Sequence, residues 1–207
     1  YAGNEAKAKA TLDAVEKAGG SGAIFQADLS RVSEITRLYD EVYARFGKVD
    51  VLFNNSGLWG EAHIKDTTEE LYDRLMNLNV KGIFFSMQEA IKRMGKGGVI
   101  INNSSVLGSH PLPMVACYCA TKAAVNMLTK CAAKEAGEKG IRVNTVAPGP
   151  TLPGLLPEDF KNQMEQMSPF KRIGEAREVG SLCVAIASDD MGWVSGQVIG
   201  VDGAAYC

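Results

Sequence analysis

Tyr118 and Lys122 are the residues of this chain best placed to do chemistry. Their i, i+4 spacing in Tyr118-Cys119-Ala120-Thr121-Lys122 puts both side chains on one helix face, about 6 Å apart in rise. A free phenol has a pKa of ~10, too high for a base at neutral pH, and a neighbouring ammonium favours the phenolate and should lower that value. A phenol tuned in this way can give a proton to, or take one from, the oxygen of a carbonyl/alcohol pair. Taken alone, the pair is common, since tyrosine and lysine meet at this spacing on many helices. The five cysteines follow no metal spacing: Cys117 and Cys119 form a C-x-C with no second pair and no nearby histidine. They read as small buried or partly buried thiols in a reducing cytosol. His63 and His110 fall in loop-like segments and read as solvated.

The elements that must position this pair alternate from end to end. Short apolar runs at 23–27, 49–53, 98–102, 141–146 and 197–201 read as strands. Helical patterns lie between them at about 4–18, 31–46, 68–94, 114–137 and 176–187. The last carries Val179, Leu182, Cys183 and Ile186 at i, i+3, i+4, i+7, an amphipathic face. Strands rich in Ile and Val without in/out alternation suit a sheet covered on both sides. Strand–helix repetition then implies parallel strands with right-handed crossovers: a doubly wound, three-layer α/β/α domain of Rossmann type over residues 1–207. One stretch departs from the pattern. Residues 148–170 carry Pro148, Pro150, Pro153, Pro157 and Pro169 with Gly149 and Gly154, the composition of a long functional loop, and 149–170 reads as a lid.

Several motifs stand in a recognisable order. Asp28-Leu29 follows the 23–27 run, Asn54-Asn55-Ser56-Gly57 ends the 49–53 run, and Asn79-Val80-Lys81-Gly82 interrupts the long helix. Asn103-Ser104-Ser105 follows 98–102, with Ser105 thirteen residues before Tyr118. Arg142-Val143-Asn144 leads to Ala147-Pro148-Gly149, and Gly192 to Gly203 closes the set. On these motifs the chain resembles the short-chain dehydrogenase/reductase family, above all its 3-oxoacyl-carrier-protein reductase and glucose dehydrogenase branch. The stretch from Gly192 to the end is also similar to fungal hydroxynaphthalene reductases.

The resemblance implies an NAD(P)-dependent oxidoreductase interconverting a ketone and a secondary alcohol. Tyr118 would be the general acid/base. Lys122 would bind the nicotinamide ribose and depress the Tyr118 pKa. Ser105, rather than Ser104, would hold the substrate oxygen, leaving Ser104 to the strand packing. Asn79 would break its helix locally and hold a water relaying protons to Lys122. Asp28 and Leu29 would touch the adenine; Asn54, Ser56 and Gly57 would approach the cofactor ribose, and Pro148, Gly149 and Thr151 the nicotinamide. Bland readings stand beside these. Asn54, Asn55 and Asn144 could tie turns together, with that reading favoured for Asn144. Asp28 could be a helix-end acid, although Ser30 looks the better cap for a helix starting at Arg31. Trp193 and Val194 read as core or subunit interface.

Two departures from the family matter. The chain opens on a helix, with no preceding strand and no Gly-rich turn to hold a pyrophosphate. Gly19-Gly20-Ser21-Gly22 follows a helix, and Gly95 to Gly98 precede a strand. The expectation is a partial sequence lacking the first two strands and that turn. Strand 23–27 would then have no adjacent partner and strand 49–53 an open apolar edge. Such a piece would bind dinucleotide poorly. The resemblance implies NADP over NAD, because the opening Tyr1-Ala2-Gly3 stands where family members that often prefer NADP carry Asn-Tyr-Ala. Second, Pro153 occupies the place of a threonine that bonds the carboxamide, and it has neither hydroxyl nor N–H.

Partners follow from bulk properties. A net charge of −2 with 46% hydrophobic and 22% charged residues argues against nucleic acid or an anionic membrane. No apolar run approaches the ~20 residues of a membrane span, and no signal peptide is visible. A cytoplasmic protein acting on a small carbonyl or alcohol is expected. The resemblance adds a homo-oligomer, tetramer or dimer, packed through the 68–94 and 114–137 helices. Leu152, Leu155, Leu156 and Met164 in the lid suggest a substrate with apolar surface. The rival is a non-catalytic or truncated relative acting in binding or assembly.

Overall fold

The computed structural model describes residues 1–152 and 161–206. Four parallel strands form its sheet in the order β1 (Val51–Asn54), β2 (Val99–Asn103), β3 (Arg142–Pro148), β6 (Val198–Val201). The expected alternation supplies the crossovers. These are α3 (Glu69–Met76) and α4 (Ile83–Arg93) between β1 and β2, α5 (Ala116–Ala136) between β2 and β3, and α7 (Ala176–Ala187) before β6. Both central strands are covered on both faces. Ile100, Val143 and Ile141 pack with Met87, Ala90, Val125 and Ala132 on one side, while Val99, Ile101 and Val146 pack with Ile186 on the other. This double burial explains the uninterrupted apolar runs.

Through the larger core runs a buried chain of hydrogen bonds. The Tyr39 hydroxyl, on α2 (Val32–Phe46), donates to the Ser86 carbonyl at 2.9 Å, and Ser86 Oγ donates to Asn54 Oδ1 at 2.7 Å. Asn54 Nδ2 donates to Asn102 Oδ1 at 2.8 Å and Asn102 Nδ2 to Thr129 Oγ1 at 2.9 Å, and Thr129 meets the Thr145 hydroxyl at 2.6 Å. All six residues are buried. Each polar group therefore needs these partners, because water cannot replace them.

Two expectations fail at the N-terminal side. Residues 23–27 form no strand: Phe25 and Ala27 pair only with Tyr1, which donates to the Phe25 carbonyl at 2.8 Å and accepts from Ala27 N–H at 2.9 Å. A strand needs a neighbour along its length, and one residue does not make a ladder. Ser30 does not cap α2, whose N-cap is Arg31 with no side-chain bond; both Ser30 N–H and Oγ instead turn back onto Asp28 Oδ1. α1 (Glu5–Lys17), capped by Asn4, buries none of its residues. The edge of β1 is open as expected, with Val51 45% and Phe53 41% exposed.

Elsewhere, Cys131 is exposed rather than partly buried, and Trp193 is fully exposed, so it is not core. Of the lid, α6 (Lys161–Met167) and a small parallel pair, β4 (Thr151–Leu152) with β5 (Gly174–Glu175), are described; Pro153, Leu155, Leu156 and Pro157 lie outside the described residues.

Candidate active site

The carboxyl ends of β1, β2 and β3 open into a cleft of about 650 Å³. Gly57, Ser105, Tyr118, Pro148, Gly149 and Thr151 line it, joined by Asn55, Asn103, Trp59 and Tyr206. Open parallel sheets bind ligands at this position, where the strands end and the loops diverge. Tyr118 sits on the first turns of α5 and is only 7% exposed, with Lys122 one turn on and 4% exposed. Lys122 Nζ lies 5.5 Å from the Tyr118 ring centre and donates to the Asn103 carbonyl at 3.0 Å. Ser105 ends the strand side: its Oγ accepts from Leu107 N–H at 3.2 Å and reaches the Pro148 carbonyl at 3.5 Å. Ser104 is buried and bonds the Lys122 carbonyl, packing between strand and helix as expected.

The electrostatics correct one expectation. The Tyr118 phenol is not depressed: burial pushes it up to about 12, against a smaller downward pull from the Ser105 hydroxyl. Burial also brings the Lys122 ammonium down to about 8. Desolvation penalises the charged form of each group and is the dominant cause of both shifts.

Asn79 does interrupt its helix. Residues Asn77–Gly82 form a π turn between α3 and α4, and Asn79 is fully buried. Its Oδ1 accepts from Leu58 N–H at 2.7 Å, while its Nδ2 donates to the Leu58 carbonyl at 2.9 Å and to Thr121 Oγ1 at 3.2 Å. Both donors are thus committed, and only a spare lone pair of Oδ1 is left for a water. That atom and Lys122 Nζ lie 3.5 and 3.6 Å from where a Cβ on Gly57 would stand. A side chain there would fill the gap between cleft and lysine. Gly149 is more constrained: a Cβ would meet Asp202 Cβ at 2.7 Å. These openings, and the polar groups of Asn55, Ser105 and Thr151, fit the nicotinamide–ribose end of a dinucleotide. No Gly-rich turn joins a strand to a helix among the described residues, so a phosphate cradle is not part of this fit.

Other sequence candidates lie apart. Leu29, Asn54 and Ser56 line a separate apolar cleft of about 230 Å³ between α2 and the free edge of β1. Asp28 is exposed, its carboxyl held below the usual range by Ser30. Asn54 spends its side chain inside the buried polar chain, and Asn144 bonds the Val194 carbonyl and Gln197 N–H, which makes both amides structural. Sequence reasoning missed Trp59 and Tyr206 in the cleft and Asn102 beneath it. The pairs Asn54-Asn55 and Asn102-Asn103 were the available signal, since Asn54 and Asn102 sit in register on β1 and β2 and, just past the end of β1, Asn103 Nδ2 donates to Asn55 Oδ1 at 2.7 Å.

Among the described residues no helix is long and apolar enough to cross a membrane, and no cluster of His, Cys, Asp and Glu could hold a metal. Comparison with known proteins gives the site its family. Residues 1–204 match the family described as Enoyl-(Acyl carrier protein) reductase. A probable tetrahydroxynaphthalene reductase of Zymoseptoria tritici is 36% identical over 221 residues, covering 99% of this chain and 83% of that protein. The 3-oxoacyl-[acyl-carrier-protein] reductase FabG of Staphylococcus epidermidis is 36% identical over 211 residues, covering 100% and 86%. A short chain dehydrogenase from Burkholderia cenocepacia, solved in complex with NADP, superposes with a TM-score of 0.96 at 28% identity, over 100% of this chain and 86% of that one. With its parallel α/β sheet, the chain belongs to the short-chain dehydrogenase/reductase family, oxidoreductases acting on CH–OH groups.

Proposed function

We propose that the protein is an NADP-dependent ketone reductase with Tyr118 as its proton donor. The observation carrying this is the meeting of Ser105 and Tyr118 in one cleft at the strand ends, with Lys122 directly behind the phenol. The relative solved with NADP and the opening Tyr1-Ala2-Gly3 support NADP over NAD. Gly57, Asn55, Pro148, Gly149 and Thr151 would hold the nicotinamide end, and Asp28, Leu29, Asn54 and Ser56 would serve the cofactor only through backbone or adenine contacts. NADPH, when bound, supplies a hydride to the carbonyl carbon.

The chain's own residues do the rest. Ser105 Oγ orients the carbonyl oxygen toward the phenol. A phenol near 12 is protonated at neutral pH, so Tyr118 is poised to donate as the alkoxide forms. The reverse direction needs the phenolate and gains with rising pH. Lys122, the spare lone pair of Asn79 Oδ1 and a water in the Gly57 gap would return the proton. Exposed Tyr72, Phe84 and Met127 on α3, α4 and α5 support assembly with further copies through those helices. The named relatives are reductases, so a non-catalytic role is not carried forward.

The test is NADPH oxidation by the full-length protein with a panel of ketones. Tyr118→Phe should lower kcat by roughly 10²–10⁴-fold, the usual worth of a positioned acid. Undiminished turnover in that variant would show that the proton comes from elsewhere.

A further inference from the structure

Beside the phenol stands an indole with no role in the chemistry above. Trp59 lines the cleft, and its ring centre lies 4.6 Å from that of Tyr118 at an interplanar angle of 56°. It is held from three directions. The Asn79 amide pins both backbone groups of Leu58, the residue before it, at 2.7 and 2.9 Å. Ala62 N–H donates to the Met114 carbonyl at 2.7 Å, tying down the far end of the segment. Trp59 Nε1 donates to Glu61 Oε1 at 2.7 Å, which fixes the rotation of the ring. Tyr206 and Leu107 line the same cleft. The ring packs against the cluster of Val106, Leu107, Val115 and Tyr118 and still lines the cleft, so a ligand entering there meets an indole already held in place.

We propose that Trp59 is a specificity-determining residue, a fixed aromatic platform that selects planar aryl ketones over saturated ones. The inference rests on the ketone chemistry proposed for Tyr118. A flat ring carrying a carbonyl can slide against the indole face while its oxygen reaches Ser105 and Tyr118. A puckered saturated ring of the same size cannot stack, and it loses the offset-stacked or edge-to-face contact that aromatic pairs favour. Because the platform is held before the ligand arrives, little ordering cost is set against that contact.

A matched pair tests it: 1-tetralone and 1-decalone share a bicyclic skeleton and a ketone, and only the first carries an arene. The full-length protein should prefer 1-tetralone in kcat/KM. Trp59→Leu should reduce the tetralone-to-decalone ratio about tenfold, mostly through KM, with Trp59→Phe restoring most of it. Glu61→Ala, which frees the indole at an exposed position, should reduce the ratio in the same direction and covers the case where Trp59→Leu does not fold. A second readout does not need turnover. The chain has two tryptophans, and Trp193 is fully exposed, so Trp193→Phe leaves Trp59 as the sole indole reporter. In that variant 1-tetralone should quench saturably and 1-decalone should not. An unchanged ratio in Trp59→Leu and Glu61→Ala, or equal quenching by both ketones, overturns the proposal. Failure to reduce any ketone, with selective quenching intact, would instead count against the catalytic reading and keep the aromatic site.

Discussion

Two clefts meet at β1, and they differ in what lines them. The larger, at the strand ends, gathers Ser105, Tyr118, Thr151 and paired asparagines, with a buried lysine behind. The smaller runs along the free edge of β1 and is walled by Leu29, Leu38, Val42, Val49 and Leu52. Phe53 and Asn55 contribute to both. Burial raises a tyrosine to about 12 in each, but Tyr39 of the second donates into the buried polar chain at Ser86, whereas Tyr118 of the first stands in the cleft beside Ser105. A perturbed titratable group left free of the core's own hydrogen bonds, not concavity or burial alone, marks the place where bonds can change.

The sharpest break in this comparison is Ser105→Ala. It should cut kcat/KM for ketone reduction by roughly 10²–10³-fold, as loss of an oxygen-orienting donor does, with the thermal midpoint little changed; steady-state assays and thermal melts check both. Next comes the buried lysine. In the fold Lys122 loses its proton near 8 rather than at 10.5, so between those values the unfolded chain binds more protons and stability rises with pH. Denaturant titrations from pH 8 to 10 should show a rise, on the order of 3 kcal/mol at most, and Lys122→Met should flatten it. Asn102→Ala, beneath the site, strands Asn54 and Thr129 and should cost roughly 1–3 kcal/mol, measured by urea unfolding. The smallest effect belongs to the open edge of β1, where Val51→Thr at a 45% exposed position should shift stability by no more than about 0.5 kcal/mol.

Much of this was legible in the order of residues. The helices at 5–17, 32–46, 116–136 and 176–187 fall within a residue or two of their periodic patterns, and three have a local boundary signal: the Asn4 cap, the left-handed Gly47 and the Glu175/Glu178 capping box. Ser105 and Tyr118 share a cleft because motif spacing fixes where a strand end meets a helix start. The failures share a different cause. Whether residues 23–27 form a strand depends on what lies beside them, and the direction of the Tyr118 shift depends on how deeply α5 is packed. Trp59 was invisible because its segment is placed by Asn79 and Met114, contacts from two distant segments. Local pattern does not encode contacts of that range.

The amides of Asn54 and Asn102 face each other across the ladder, bonded to one another and each spending its remaining group on a partner fixed by α4 or α5. A shift of one strand by a single position would bring Phe53 or Asn55 opposite Asn102 and leave two carboxamides dry and unbonded. Alternative alignments of two short Val/Ile-rich strands, otherwise nearly equal in energy, are thereby penalised. Mutations at either asparagine should consequently be tolerated only in concert, which makes the pair a lock on alignment as much as a contributor to cohesion.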